Sequence, residues 1–447
     1  MGLGREGAAL AKFLVQHGAR VTVTDIKQEA ALQDRIDELA GLPINYLLGG
    51  HPEEVLDTDV IFVSPGVSRE IPILEKARQR GIPLSSETKL FFSLCQAPII
   101  GITGSSGKTT TTSLVGEIMQ AQEYRTFVGG NIGSPLTTLV EEIEPSDKVV
   151  MELSSFQLDA LDQSPHIAAI LNLSPNHLDR HPSMEDYVAA KTNIVRFQGK
   201  SDYAVLNADQ RLVRELAKDC PGRVLFFSLE QELNQGAFLS QEIVTVRWGG
   251  HDLRVCDVSQ IQLLGSHNLE NVLAACALAV VGGAQVEAMT RAVTSFQGVE
   301  HRLELVAEWD GVRYYDDSIA TSPDRTIAAL NSFAEPIILL AGGREKHLPL
   351  EELASLIVSK VKSVILFGEA APLLAQAVTS AQCEEPDREV SLYRSSDLAE
   401  AVRIAAQISE AGDIVLLSPV CTSFDMYQDF AERGEHFKAL VRGLRNA

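Results

Sequence analysis

The sequence lacks any apolar stretch near the ~20 residues that cross a bilayer, so no helical membrane span is expected. It lacks a C-x-x-C pair. Its six cysteines, Cys95, Cys220, Cys256, Cys276, Cys383 and Cys421, are scattered, which fits buried thiols in a reducing compartment. It lacks a basic balance: 38 Lys and Arg stand against 60 Asp and Glu, a net charge of −22, with no basic stripe. Nucleic acid is therefore not an expected partner. There is no internal repeat and no low-complexity tract, and with Met1 running straight into the first glycine loop no signal peptide is expected. The expectation is a cytoplasmic protein with neither a membrane nor a nucleic-acid partner. Acidity itself reads as solubility, but an anionic ligand would then need local positive charge or helix N-termini.

What is present is ordinary globular material. The 447 residues are 45% hydrophobic and 22% charged, enough for two to four domains. Short apolar runs alternate with helical-period segments, the signature of an α/β chain with largely parallel sheets. Three blocks emerge: 1–96, 97–297 and 298–447. The first offers strands at Val21–Asp25, Asp59–Ser64 and near Pro83. The second offers Ile99–Thr103, Val149–Leu153, Ile167–Leu173, Tyr203–Leu206 and Val224–Phe227, an antiparallel hairpin within Gly236–Val255, and a buried helix Asn268–Val281. The third opens with a hairpin, Leu303–Asp310 and Val312–Asp316 around Asp310–Gly311, followed by buried strands Ile337–Leu340, Val364–Phe367 and Ile414–Leu417.

The strongest local motif is Gly101-Ile-Thr-Gly-Ser-Ser-Gly-Lys-Thr109. A strand enters it and a helix, Thr109–Met119, leaves it. Backbone N–H groups there can cradle phosphate, Lys108 adds charge, and Thr109 can ligand Mg²⁺. Ile102 breaks the strict phosphate-loop pattern, so this is a variant; the bland alternative is a strand–turn–helix with a surface lysine. Gly2-Leu-Gly-Arg-Glu-Gly7 matches G-x-G-x-x-G, with Asp25 ending the next strand. A nicotinamide site, another nucleotide-diphosphate site and a packing turn all fit it. Glu152, in Glu152-Leu-Ser-Ser-Phe-Gln-Leu158, ends a strand and is placed to hold Mg²⁺, or is a loop-facing carboxylate. His177, Asp179 and His181 resemble a metal cluster without zinc spacing, and a polar loop explains them equally well. Gly342-Gly-Arg-Glu-Lys346 and Ser418–Asp425 end apolar strands and suit an anionic ligand or a surface loop.

Taken together and in order, these residues resemble the Mur ligase family, in its D-glutamate-adding branch. Thr103–Thr109, Glu152, Asn176–Arg180 with Lys191, His267–Asn271, Glu300-His-Arg302 and Asp317–Ser322 carry the resemblance, which runs from Gly2 to the C-terminus. Glu152–Leu158 and Ser418–Arg433 point to that branch. Ser105 and Ser106 stand where the family usually has Thr and Asn, and both offer hydroxyls. The resemblance implies a three-domain α/β fold: a Rossmann-like N-terminal domain lacking its first strand, a central phosphate-loop ATPase domain, and a Rossmann-like C-terminal domain. It implies ATP and Mg²⁺ as cofactors, UDP-N-acetylmuramoyl-L-alanine and D-glutamate as substrates, and a monomer. Lys108, His177 and Lys191 would be catalytic. ATP would meet Gly104, Ser105, Ser106, Gly107, Lys108, Thr109, Thr110, Asn268, Asn271, Arg302 and Asp317. Thr109, Glu152, His177 and a carbamylated Lys191 would serve the metal. Arg5, Glu6, Asp25, Ile26, Lys27, Ser64, Pro65, Gly66 and Asn131 would face the UDP-sugar, and Thr321, Lys346, Ser423 and Phe430 the D-glutamate. A sister ligase adding another amino acid shares the ATP site; a nicotinamide oxidoreductase would leave Lys108 and Glu152 unexplained. The helical spacing of Tyr187, Val188, Ile194 and Val195 points Lys191 inward.

Overall fold

The computed structural model describes residues 1–174, 183–346, 348–384, 388 and 390–446. The chain forms two compact units, Met1–Ile261 with Leu269–Ser295, and Gln262–Asn268 with Phe296–Ala447.

In the first unit, β1 (Val21–Asp25) pairs in parallel with β2 (Ile44–Leu48), and β3 (Ile61–Phe62) with β4 (Leu84–Ser85). These remain two separate two-stranded sheets. The helix Arg5–Gln16 buries Ala8, Leu10, Ala11 and Phe13. Met1 and Gly2 bridge the two sheets at one end. The Met1 amine donates to Phe62 O at 2.8 Å, Met1 O accepts from Ser64 N at 3.0 Å, and Gly2 N donates to Thr24 O at 2.8 Å. Met1 thus pairs with the β3 side in the parallel pattern, and Gly2 makes one bond to the β1 side. Beside it runs a groove of about 920 Å³ lined by Val21–Thr24, Asp59–Val63 and the apolar face of the first helix. Among the described residues no strand fills the space between β1 and β3, in keeping with the expected gap.

A nine-stranded sheet follows. Its strands are β5 (Ile99–Thr103), β6 (Thr126–Gly130), β7 (Lys148–Glu152), β8 (Ile167–Ile170), β9 (Tyr203–Asn207), β10 (Arg223–Ser228), β11 (Gly236–Ser240), β12 (Ile243–Trp248) and β13 (His251–Asp257). The order is β13-β12-β11-β10-β9-β8-β5-β7-β6. Strands β5 to β11 pair in parallel, and β11–β12–β13 form an antiparallel meander, one strand more than the expected hairpin. All five residues of β5 are buried, as a central strand covered on both faces requires.

The second unit holds a six-stranded sheet: β14 (Glu304–Trp309), β15 (Val312–Asp316), β16 (Ile337–Gly342), β17 (Val361–Phe367), β18 (Ser391–Arg394) and β19 (Ile414–Val420), ordered β14-β15-β19-β16-β17-β18. Only β14–β15 is antiparallel. Its turn residues Asp310 and Gly311 both have positive φ, the requirement of a type I′ hairpin. Ile337–Leu340 and Ile414–Leu417 are wholly buried, their side chains shared between the cores on the two faces of the sheet.

Candidate active site

The chain passes from β5 through β6 to β7 on one side, then crosses to β8 on the other. In an open parallel sheet, ligands bind at the carboxyl ends of the strands flanking such a switch. Four segments meet there.

The first is the loop after β5. Gly107, at φ +78°, opens the helix Lys108–Ala121 with no side-chain cap. A Cβ at this position would lie 2.2 Å from Asn271 Oδ1, so glycine is needed for packing as well as for conformation. Lys108 folds back over the loop, its Nζ donating to Gly104 O at 3.0 Å and Ser105 O at 3.3 Å. The loop is braced from the β8 side: Ser105 N donates to Asn172 O at 2.9 Å, and Ser106 N to Asn172 Oδ1 at 2.8 Å. Ser105 Oγ also lies 2.9 Å from the Tyr187 hydroxyl.

The second is the end of β7. Buried Glu152 accepts from Thr109 Oγ1 at 2.7 Å on one oxygen and from Asn131 Nδ2 at 2.8 Å on the other. Thr109 and Glu152 thus bring two oxygens together, a donor set that suits a hard cation such as Mg²⁺.

The third is the helix Met184–Arg196, capped by Ser183 and burying Tyr187, Ala190, Lys191, Ile194 and Val195. Lys191 does point inward. Only 2% exposed, its Nζ donates to Gly104 O at 2.8 Å and Thr103 Oγ1 at 3.2 Å, 4.9 Å from the Tyr187 ring centre. Burial, then the charge of Lys108, hold its pKa well below the ordinary lysine value, with Glu152 opposing them. His177, the remaining residue expected at the metal, lies outside the described residues.

The fourth is the Gly2–Gly7 loop. Arg5 donates to Asn131 O at 3.4 Å, and Glu6 Oε1 accepts from Gln157 Nε2 at 2.8 Å. Asp25 is occupied with its own surroundings: its oxygens accept from Leu3 N at 2.7 Å and Lys27 N at 2.9 Å. Ser64 Oγ donates to Gly2 O at 3.0 Å, ahead of Pro65 and Gly66, while Ile26 is exposed.

The second unit groups its own expected residues. Asp317 is buried, accepts from Ser418 Oγ at 2.8 Å and Leu303 N at 3.3 Å, and is pushed up to about 7 by burial. The charge of Arg302 partly opposes that shift. Asn268 Nδ2 donates to Leu264 O at 2.8 Å. Lys346 Nζ donates to Thr321 Oγ1 at 3.3 Å, and burial, then Arg325, lower its pKa. Ser423 is buried, and Phe430 O accepts from Ser318 Oγ at 2.7 Å.

Two structural keys received no individual role in the sequence reading. Gln157 joins the glycine loop to the segment after Glu152. Arg433, fully buried, donates to Ser318 Oγ and O at 3.0 and 2.9 Å and to Cys421 O at 3.3 Å. Both lie inside runs assigned to the D-glutamate branch, which was the available signal. His301, Glu304 and Asp316 cluster closely enough for a metal. They form an ion-pair network instead: His301 Nδ1 lies 2.7 Å from Asp316, and Lys438 lies 3.1 Å from Glu304.

Three domain families match the chain in succession: the Mur ligase MurD-like N-terminal domain over residues 1–86, the Mur ligase middle domain over 102–279, and the Mur ligase glutamate ligase domain over 301–421. The chain belongs to the Mur ligase family. A UDP-N-acetylmuramoylalanine--D-glutamate ligase of Symbiobacterium thermophilum is 46% identical, covering 99% of this chain and 97% of its own. One of Acetivibrio thermocellus is 42% identical, over 99% and 96%. Among solved structures, UDP-N-acetylmuramate-alanine ligase of Thermotoga maritima aligns with a TM-score of 0.61 at 18% identity, over 99% and 98%. The MurF ligase of the same organism, solved in complex with ADP, gives 0.60 at 18%, over 96% and 97%. The three-domain α/β fold of Mur ligases is therefore the fold of this chain.

Proposed function

We propose that this Mur ligase joins D-glutamate to UDP-N-acetylmuramoyl-L-alanine, at the expense of ATP, in cytoplasmic peptidoglycan precursor synthesis. The observation that carries the chemistry is the convergence of Lys108, Thr109, Glu152 and Lys191 at the end of β5. The choice of amino acid rests on the full-length similarity to D-glutamate ligases.

In the first step an oxygen of the substrate carboxylate bonds to the γ-phosphorus of ATP, and the bond to ADP breaks. In the second, the D-glutamate nitrogen attacks the acyl carbon, loses a proton, and phosphate leaves. Phosphoryl transfer of this kind is mostly positioning and charge neutralisation. Lys108 supplies a cation from within the loop, and the N-terminus of the helix Lys108–Ala121 supplies N–H donors. Thr109 and Glu152 would hold Mg²⁺, whose contribution is to neutralise phosphate charge. Asn131 orients Glu152 by taking its other oxygen. A second ion would fall to His177 and Lys191. The amine of Lys191 offers no oxygen, so it fits this role only as a carbamate. Asn268, Asn271, Arg302 and Asp317 are assigned to ATP, and Thr321, Lys346, Ser423 and Phe430 to D-glutamate. Arg5, Glu6, Asp25, Ile26, Lys27, Ser64, Pro65, Gly66 and Asn131 are assigned to the uridine nucleotide. We assign the domains as 1–96, 97–297 and 298–447, acting as a monomer on small molecules alone.

The test is ADP release from ATP with UDP-N-acetylmuramoyl-L-alanine, across a panel of D-amino acids and the amino acids that sister ligases add. Release that requires D-glutamate supports the assignment. Release with another amino acid and none with D-glutamate moves the chain to a sister activity.

A further inference from the structure

The Gly2–Gly7 loop, assigned to a diphosphate, contains a carboxyl group. Glu6 Oε1 accepts from Gln157 Nε2 at 2.8 Å. Gln157 is 1% exposed, and its own Oε1 accepts from the backbone N and hydroxyl of Ser154 at 2.9 and 3.0 Å. Glu6 is thereby fastened to the turn that follows Glu152. Its second oxygen, Oε2, is buried and meets no hydrogen-bond partner among the described residues.

The charged groups facing Glu6 are Arg5, on its own helix, and Glu87, from the helix Glu87–Leu94. Glu87 is buried and offers no donor: one oxygen accepts from the N and Oγ1 of Thr137, the other from Thr88 Oγ1 at 3.5 Å. An ionised Glu6 would bury a bare oxygen beside a second carboxyl group, which is costly. A protonated Glu6 buries a neutral hydroxyl in place of a charge and keeps the Gln157 bond. Burial, followed by Glu87, pushes its pKa up to about 7, against Arg5 and Gln157.

We propose that Glu6 is a positioning residue for the uridine-nucleotide substrate. In its protonated form it clasps the glycine loop to the turn after Glu152 and accommodates the diphosphate, so that binding takes up one proton from solvent. The inference rests on the assignment of this loop to the nucleotide. A bound diphosphate adds negative charge beside Glu6 and raises its pKa further; linkage then requires that neutral Glu6 bind the diphosphate more tightly. Below the pKa of the free protein the group is already neutral and binding takes up nothing. Between the free and bound values, affinity falls as pH rises, by at most about tenfold per unit. Above the bound value it levels off.

Calorimetry with UDP-N-acetylmuramoyl-L-alanine at pH 8, in two buffers of different ionisation enthalpy, reads the proton directly. The KM for each substrate from pH 6 to 9 reads its consequence. The wild-type protein is expected to take up a proton on binding, and its KM for the UDP-sugar to rise with pH while that for ATP does not follow. Glu6→Gln keeps an acceptor for Gln157 and cannot ionise, so both the uptake and the pH dependence disappear. Binding without uptake by the wild type, or unchanged uptake by Glu6→Gln, overturns the proposal and leaves the ligase reading standing. No binding of the UDP-sugar even at pH 6 overturns the nucleotide assignment and this proposal with it.

Discussion

The three glycines of Gly2-Leu-Gly-Arg-Glu-Gly7 do different physical work, and substitution can separate packing from ligand contact. Gly2 has φ +87° and would place a Cβ 2.9 Å from Ser64 Cβ. A Cβ on Gly7 would fall 2.1 Å from Gly2 O. Either replacement must move backbone. Gly4 is different: its φ is −82°, and a Cβ there meets nothing within 4 Å. The fold gives no reason for glycine at this position, whereas a diphosphate approaching the backbone does. Gly4→Ala is expected to lose at most ~1 kcal/mol of stability, because alanine is a poorer N-cap than glycine. If the methyl group displaces one charge-assisted hydrogen bond of about 1.5–3 kcal/mol, affinity for the UDP-sugar should fall by roughly 10- to 150-fold. Gly7→Ala should instead lower the melting temperature severely. Thermal melting and calorimetry on the two variants make the comparison. If Gly4→Ala binds the UDP-sugar like the wild type, or loses binding only because it unfolds, the reasoning fails.

Three further outcomes are expected. Lys108→Ala removes the cation at the loop and should cost at least ~10²-fold in ADP release, with the melting temperature little changed; more than about a tenth of wild-type turnover would contradict the role. Lys191→Ala should be nearly inactive and partly restored by a small carboxylic acid, and labelled bicarbonate should give a carbamate signal in the wild type; a free amine in active enzyme would exclude the carbamate. Fusing an apolar strand of about five residues ahead of Met1 should raise the melting temperature and strengthen uridine-nucleotide binding, because Met1 and Gly2 pair with only one end of the strand edges that flank the groove; unchanged melting and affinity would count against it.

Legibility in the sequence followed burial. Val21–Asp25, Ile99–Thr103 and Val312–Asp316 were read at their observed bounds, because β-branched runs with clear punctuation leave one solution. The strands that escaped notice were β2, β6, β18 and one strand of the β11–β12–β13 meander. Ile44–Leu48 mixes Asn and Tyr into its run, Thr126–Gly130 ends in two glycines, and Ser391–Arg394 is a four-residue edge with no buried position. Asp59–Ser64 shrank to Ile61–Phe62, which pairs in its sheet with β4 alone among the described residues. Lys191 was readable because helical spacing fixes a face. Gln157 and Arg433 were not individually readable, because their partners lie far away in sequence: Glu6 is separated by 151 residues and Ser318 by 115. Long-range polar pairing leaves no periodic trace.

An acidic chain that binds polyanions must find positive potential somewhere, and its helix starts show where. Some helix starts are closed by side chains: Ser86 accepts from Lys89 N, Asp397 from Glu400 N and Asp429 from Glu432 N, while Pro72–Gln79, Arg211–Leu216 and Glu351–Lys360 start without a side-chain cap. Each of these caps fills an N–H that would otherwise attract an anion. The helices Arg5–Gln16 and Lys108–Ala121 start at Gly4 and Gly107, and neither has a side-chain cap. Both follow glycine loops assigned to phosphate groups. A capping side chain would satisfy the helix at the expense of the ligand; glycine keeps the donors available without adding a competing acceptor. The lysines then act as adjustments. Lys108 is held on loop carbonyls within reach of the same N-terminus, and Lys191 lies against Tyr187 and the loop, where burial lowers its pKa. Backbone N–H groups at these two helix starts, together with Lys108, thus offer positive potential to anionic substrates in a protein of net charge −22.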